Sequence, residues 1–237
     1  MIGLKLPSRK RARDEAEKPF WISFSDLMTA LMVLFLVSVT VALFAITQKP
    51  DEVAKQQAQR ERDIQELLNQ IAEAAKEYPG IVVNGHAIDF GSRANFASNS
   101  SVLNDVQAAT LRAFVPKILS KVRDPLGKKW LKRIVVEGFA DQRGTYIHNL
   151  NLSLQRSERV LCVLLASPQS VSNALSDVDR LQVRELFLVG GSSFNGLKAS
   201  LEESRRIELK LEFMELGEDR PIPRDAPLDD APCPLDK

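Results

Sequence analysis

Asp26 is the one ionisable side chain in the run Phe20 to Ile46 (FWISFSDLMTALMVLFLVSVTVALFAI), which otherwise carries no charge and no Gly or Pro. Placing such a group within a membrane helix costs about 2.5–3.5 kcal/mol near the bilayer centre and less near its edge, so its presence points to function. A carboxyl that alternates between neutral and charged forms is what a proton carrier needs. Each proton crossing the membrane releases about 2.3 kcal/mol per 100 mV. Thr29, three residues on, shares the helical face of Asp26 and offers a hydroxyl to an ion or a neighbouring helix. The alternative on residue type alone is that Asp26 caps a helix start, because Ser23, Ser25 and Asp26 are all N-cap types. A second pair, Asp141 and Arg156, lies 15 positions apart. By residue type alone it reads as an ion pair tying a loop to the helix that follows.

Other chemistry is poorly supplied. His86 and His148 are the only histidines, and neither falls in an HExxH pattern or beside a G-x-S-x-G elbow. There is no P-loop, and Gly190-Gly191-Ser192-Ser193 reads as a strand-ending turn, so no enzyme and no cofactor is expected. A net charge of +1 argues against a direct nucleic-acid partner, which needs clustered Lys and Arg. Cys162 and Cys233 are too far apart for a CxxC metal site and too few for a disulfide-stapled miniprotein. Cys162 reads as a core residue. Pairing of Cys233, with Cys162 or between subunits, is the less favoured reading.

The elements that must position these residues divide the chain unevenly. Its 237 residues are 44% hydrophobic with a mean hydropathy of −0.14, an average that would suit a soluble protein. The apolar residues are concentrated instead. Leu27 to Ile46 is long enough to cross about 30 Å of hydrocarbon as one helix. The run is too long, and its end too bulky, for a cleaved signal peptide. Lys5, Arg9, Lys10, Arg11, Arg13 and Lys18 precede it, whereas Lys49 and Lys55 alone follow closely. That bias puts the N-terminus in the cytoplasm and the bulk of the chain across the membrane, which is the periplasm if the cell is a Gram-negative bacterium.

Residues 48–78 are rich in helix formers. Ile64, Leu67, Ile71, Ala74 and Tyr78 recur at spacings of three and four. This seam fits either a short coiled coil or one helix packed on its own domain. Pro79-Gly80 ends it. Beyond it, Ile81 to Phe90 reads as a strand with a possible turn at Asn84-Gly85, Leu103 to Val122 as a helix, and Arg133 to Gly138 as a β-branched strand. A helix from about Asn151 to Leu165 and strands at 186–190 and 207–213 follow. The pattern is α+β: an N-terminal transmembrane helix, a helical connector, and a mixed β-sheet covered by helices. The tail from Gly217, with Pro221, Pro223, Pro227, Pro232 and Pro234, reads as extended or disordered.

Two stretches carry family resemblances. Trp21-Ile-Ser-Phe-Ser-Asp26-Leu-Met-Thr29-Ala-Leu-Met32 resembles the MotB-like B subunits of ion-driven stators, whose W-x4-D-x-M-T-x-x-M pattern places the ion-carrying Asp at this position. The wording SDLMTALM is more similar to the ZorB-type subunits of Zorya anti-phage systems than to flagellar ones. Gly138-x-x-Asp141-x-x-Gly144-x4-Asn149-x-x-Leu152-Ser153-x-x-Arg156-x3-Val160 resembles the OmpA-like peptidoglycan-binding motif in unbroken register. Phe96 to Leu103 and Ser204 to Leu209 resemble that family's flanking loop and closing strand.

The resemblance implies five segments: a cytoplasmic stub (1–19), a membrane helix (20–46), a connector or plug (47–79), an OmpA-like periplasmic domain (80–216) and a tail (217–237). It implies that Asp26 and Thr29 serve the transported ion, expected to be H+. Asp141, His148, Asn149, Leu152 and Arg156 are expected to bind peptidoglycan, Asp141 taking the ammonium and Arg156 the carboxylate of a diaminopimelate residue. The expected partners are a multi-helix A subunit, MotA- or ZorA-like and pentameric, a second copy of this chain, and peptidoglycan. The alternatives are a flagellar-type stator subunit or a passive tether between membrane and wall. The link 167–184 is longer than that family's usual one, and Gly191-Ser-Ser-Phe194 replaces its common G-E-x-x-P run.

Overall fold

In a computed structural model of the chain, backbone is described for residues 11–171, 173–220, 228 and 232–236. Side chains are described for the same residues apart from 11–20, 22 and 47–51. The basic flank from Lys5 to Lys18, Lys49, and Pro221, Pro223 and Pro227 of the tail fall outside the described side chains. The chain divides into two compact units, Met1–Gln57 and Ala58–Lys237.

The described part of the first unit is helical and is the earlier part of helix α1 (Arg11–Ala75). Ser23–Ile46 within it is long and apolar enough to cross a membrane, with a mean hydropathy of 2.6, and none of that window is buried inside the chain. Its hydroxyls are satisfied locally: Thr29 donates to the Ser25 carbonyl at 2.7 Å and Thr40 to that of Leu36 at 2.9 Å. Back-bonding of this kind lets Ser and Thr sit in lipid without an orphaned donor. Because α1 begins at Arg11, Asp26 lies inside the helix and caps nothing, which removes the capping reading.

The second unit is an α+β fold on a five-stranded sheet of order β1-β2-β5-β3-β4. The strands are β1 (Val82–Asn84), β2 (Ala87–Asp89), β3 (Leu131–Gly138), β4 (Phe187–Gly191) and β5 (Ile207–Phe213). β3 and β4 are parallel; the other pairs are antiparallel, so the sheet is mixed. The expected strand at 81–90 is a hairpin, turning at Asn84-Gly85, where Gly85 has φ +54°. Helices α2 (Asp105–Arg123), α3 (Pro125–Trp130), α4 (Tyr146–Leu165), α5 (Asp177–Leu186) and the single turn α6 (Leu201–Ser204) complete the unit.

The last part of α1 belongs to this unit. Ile64, Leu67, Leu68, Ile71 and Ala75 are buried in the same cluster as Phe114 and Ile118 of α2 and Ile134 and Leu211 of the sheet. Of the two readings of the seam, packing on the chain's own domain is the one realised. A polar cluster fixes its start: Asp63 accepts from the Trp130 indole at 2.8 Å, from Lys129 at 3.1 Å and from Gln59 at 2.6 Å. These donors hold the Asp63 carboxyl below its ordinary pKa, the Trp130 bond foremost. The compact unit therefore starts at Ala58, well before residue 80.

Two further features differ from expectation. Residues 177–186, of which 177–184 are expected to be part of a long link and Leu186 to start a strand, form α5, capped by Ser176 and burying Val183 and Leu186. Cys162, on α4, is half-buried and disulfide-bonded to Cys233, 71 residues away. Arg159 supports this attachment by donating to Asp236 at 2.5 Å and to the Leu235 carbonyl at 3.2 Å. Thus residues 233–236 are fastened to α4, correcting the reading of unpaired cysteines and a loose tail end.

Candidate functional site

The loop after β3 and the start of α4 build a concavity of about 290 Å³, lined by Asp141, Arg143, His148, Asn149, Leu152 and Arg156 together with Ser98 and Asn99. Close backbone approach makes this possible. At Gly138, the last residue of β3, a Cβ would lie 2.0 Å from the Ser153 carbonyl oxygen, so only glycine lets α4 press against the strand end. Its register partner Gly191 meets α4 similarly, with Leu154 Cγ at 2.7 Å from a notional Cβ. Thr145 caps α4, and Asn149 donates to the Arg143 carbonyl at 2.9 Å, which holds the loop against the helix.

Arg156 is fully buried and organises the wall. Its Nη1 donates to the Phe139 carbonyl at 2.6 Å, Nε to that of Ser100 at 2.9 Å and Nη2 to that of Ala97 at 3.2 Å. The guanidinium also stacks on Phe96, 5.0 Å from the ring centre. One side chain thereby joins α4 to both loops of the concavity. Burial, reinforced by the positive charge of Arg205, pushes its pKa down to about 10, which leaves it charged at neutral pH. Three of its five N–H groups are thus committed to backbone carbonyls.

Asp141 is 6% exposed. Its carboxylate accepts from the Arg143 backbone N–H at 3.0 Å, from Arg143 Nη2 at 2.8 Å and from Arg205 Nη1 at 3.1 Å. These bonds, led by those of the Arg143 side chain, outweigh burial and hold the carboxyl well below the usual carboxylate range. The ion pair read from residue type is not the one formed: Asp141 pairs with Arg143 and Arg205, while Arg156 serves carbonyls. His148 Nε2 lies 2.8 Å from the Asn99 side-chain oxygen, at the open rim.

All five residues expected at the wall-binding site therefore line one concavity. Arg143 and Arg205, which also bond Asp141, are not among the expected residues although both lie inside motif matches; their roles depend on loop geometry that spacing does not encode. Asp26 and Thr29 belong to the other unit, where they lie three residues apart on one helix.

Against proteins of known kind, the chain is 44% identical over 223 residues to Zorya protein ZorB of Escherichia coli, covering 93% of this chain and 91% of that protein. The chain belongs to the ZorB family. The MotB plug family, described as membrane MotB of the proton-channel complex MotA/MotB, matches residues 7–59. Similar solved structures include a putative MotB-like protein from Desulfovibrio vulgaris, 16% identical over 66% of this chain and 94% of that one, with a TM-score of 0.41. The cell wall anchor of the type VI secretion system from Pseudomonas aeruginosa is 19% identical over 61% of this chain and 96% of that one, with a TM-score of 0.38.

Proposed function

We propose that this ZorB-family chain is the ion-conducting, wall-anchored stator subunit of a proton-driven membrane motor that acts in anti-phage defence. What carries the reading is one chain that holds a lone carboxylate inside a membrane-length apolar helix and a guanidinium–carboxylate concavity in its folded unit. Asp26 takes up and releases the proton. Thr29, its own proton donated to the Ser25 carbonyl, offers lone pairs on the same face. A single helix makes no pathway, so the uncovered apolar surface of Ser23–Ile46 faces the helices of an A subunit, as a pentamer around a dimer of this chain. The N-terminus is cytoplasmic and the folded unit periplasmic. There, a diaminopimelate residue of a stem peptide places its ammonium at Asp141 and its carboxylate toward Arg156, with Asn149, Leu152 and His148 forming the walls. Lys49 to about Arg62 is the candidate plug that closes the pathway until the wall is engaged.

The test is to express Asp26→Asn and Asp141→Asn chains with the partner subunits, hold membrane abundance equal to wild type, and measure phage protection. Both are expected to lose protection, Asp26→Asn with wall attachment intact and Asp141→Asn with attachment lost. Full protection by Asp26→Asn at normal abundance would show a passive tether instead.

A further inference from the structure

The carboxylate that should receive a ligand cation is already occupied. A carboxylate has about four acceptor positions. On Asp141, Oδ1 takes the Arg143 backbone N–H at 3.0 Å and Arg143 Nε at 3.3 Å. Oδ2 takes Arg143 Nη2 at 2.8 Å and Arg205 Nη1 at 3.1 Å. Nothing is left for an incoming ammonium unless one donor departs.

The two arginines differ in how firmly they are held. The Arg205 side chain is 14% exposed and also donates from Nε to the Phe96 carbonyl at 2.8 Å, so it is part of the wall. The Arg143 side chain is 54% exposed. Apart from Asp141, among the described residues its guanidinium bonds only to the Ser98 hydroxyl, at 3.0 Å. Its departure frees one position on each carboxylate oxygen, side by side, which matches two N–H groups of an ammonium. The backbone N–H of Arg143 stays, and so does the shape of the turn.

We propose that Arg143 is a displaceable internal counter-ion of Asp141: its guanidinium stands where the ligand's ammonium goes, and binding exchanges one cation for the other. This rests on the reading of the concavity as the seat of a zwitterionic stem-peptide residue. The exchange makes the site selective. A ligand with a free ammonium replaces the interaction it breaks. A ligand with a carboxylate alone cannot replace it, and finds Arg143 still bonded to Asp141. The wall component selected is thus one whose diaminopimelate amine is free, since an amine acylated in a cross-link carries no charge to exchange.

Calorimetric titration of the full-length chain in detergent with meso-diaminopimelic acid, and with pimelic acid as the same carbon chain lacking both amines, tests this. Arg143→Gln removes the competitor and is expected to tighten diaminopimelate binding about fivefold, the worth of a partly exposed ion pair. It should not tighten pimelate binding. Arg143→Lys, which can still pair with Asp141, should give a smaller gain. Asp141→Asn should abolish the preference for diaminopimelate over pimelate. If Arg143→Gln weakens diaminopimelate binding, leaves it unchanged, or tightens both ligands equally while Asp141→Asn still removes the preference, the counter-ion role is overturned and the site stands. If Asp141→Asn binds diaminopimelate as wild type does, or none of the chains binds it, the reading of the concavity falls and the counter-ion role with it.

Discussion

Replacing Arg156 by Ala is expected to destabilise the folded unit before it reveals anything about ligand binding. The guanidinium is fully buried and supplies donors to the carbonyls of Phe139, Ser100 and Ala97. A buried acceptor left without a partner costs about 1–3 kcal/mol. The Phe139 bond is wholly buried, whereas the other two lie partly within reach of water, so the first carries its full cost and the others less. Adding about 0.5–1 kcal/mol for the lost stacking on Phe96 gives a total of about 3–5 kcal/mol. That is a large share of the 5–15 kcal/mol typical of a folded domain. Asp141 keeps both its arginine partners, so no uncompensated carboxylate adds to the loss. Urea unfolding of the full-length chain in detergent, in a Trp21→Phe background, reads this through the fluorescence of Trp130, which is 7% exposed. Arg156→Lys, with an ammonium that reaches fewer of the three carbonyls, should fall between wild type and Ala. A loss below about 1 kcal/mol for Arg156→Ala would refute the assignment of these bonds as the clasp between α4 and the loops. If the loss is as large as expected, failure of Arg156→Ala to bind peptidoglycan reports unfolding, and Asp141→Asn is the cleaner probe.

The disulfide and the acid limb provide the remaining checks. Cys162–Cys233 closes a 71-residue separation, for which chain-entropy arguments give up to about 4 kcal/mol; a Cys162→Ser, Cys233→Ser chain should lose about 2–4 kcal/mol in the same assay, and non-reducing peptide mapping should recover the cross-linked pair from wild type. Finding both thiols free in chain isolated without reductant and with thiols blocked at lysis would refute the pairing. The Asp141 carboxyl sits well below its ordinary value of 3.8 when folded, so its contribution to stability is fully present above that pH and is lost as pH falls below it toward the folded value. Asp141→Asn should therefore unfold with a shallower dependence on pH below about 4 than wild type, and identical acid profiles would overturn the pairing of Asp141 with Arg143 and Arg205.

Much of the fold was legible because it is written in local patterns. The β-branched run from Arg133 predicts β3, and the apolar spacing after Asn151 predicts most of α4, extended in the structure back to its Thr145 cap. Helix α5 is not predicted by apolar periodicity, although its end signals are present: Ser176 as cap, Asp177 and Asp179 in the first turn and Arg184 in the last. At ten residues, its apolar face is too short for periodicity to stand out.

The sequence by itself determined where the membrane-length apolar run lies and that Asp26 is its one charge, because composition carries that information, while the residues that gather at the concavity were implied by the resemblance to the OmpA-like motif. Tertiary structure alone decided what those residues touch. Periodicity says that one face of α1 is covered but not by what, and the cover turned out to be the chain's own sheet and α2. Separation along the chain says nothing of distance in space, so the approach of Cys233 to Cys162 was invisible until the fold placed them together. The same holds for Asp141: its partner on residue type was Arg156, but the turn at Arg143 and the end of α6 bring other guanidiniums nearer, and the burial of Arg156 turns it to the backbone. A charge is paired by the geometry around it, and that geometry is set by every element packed there.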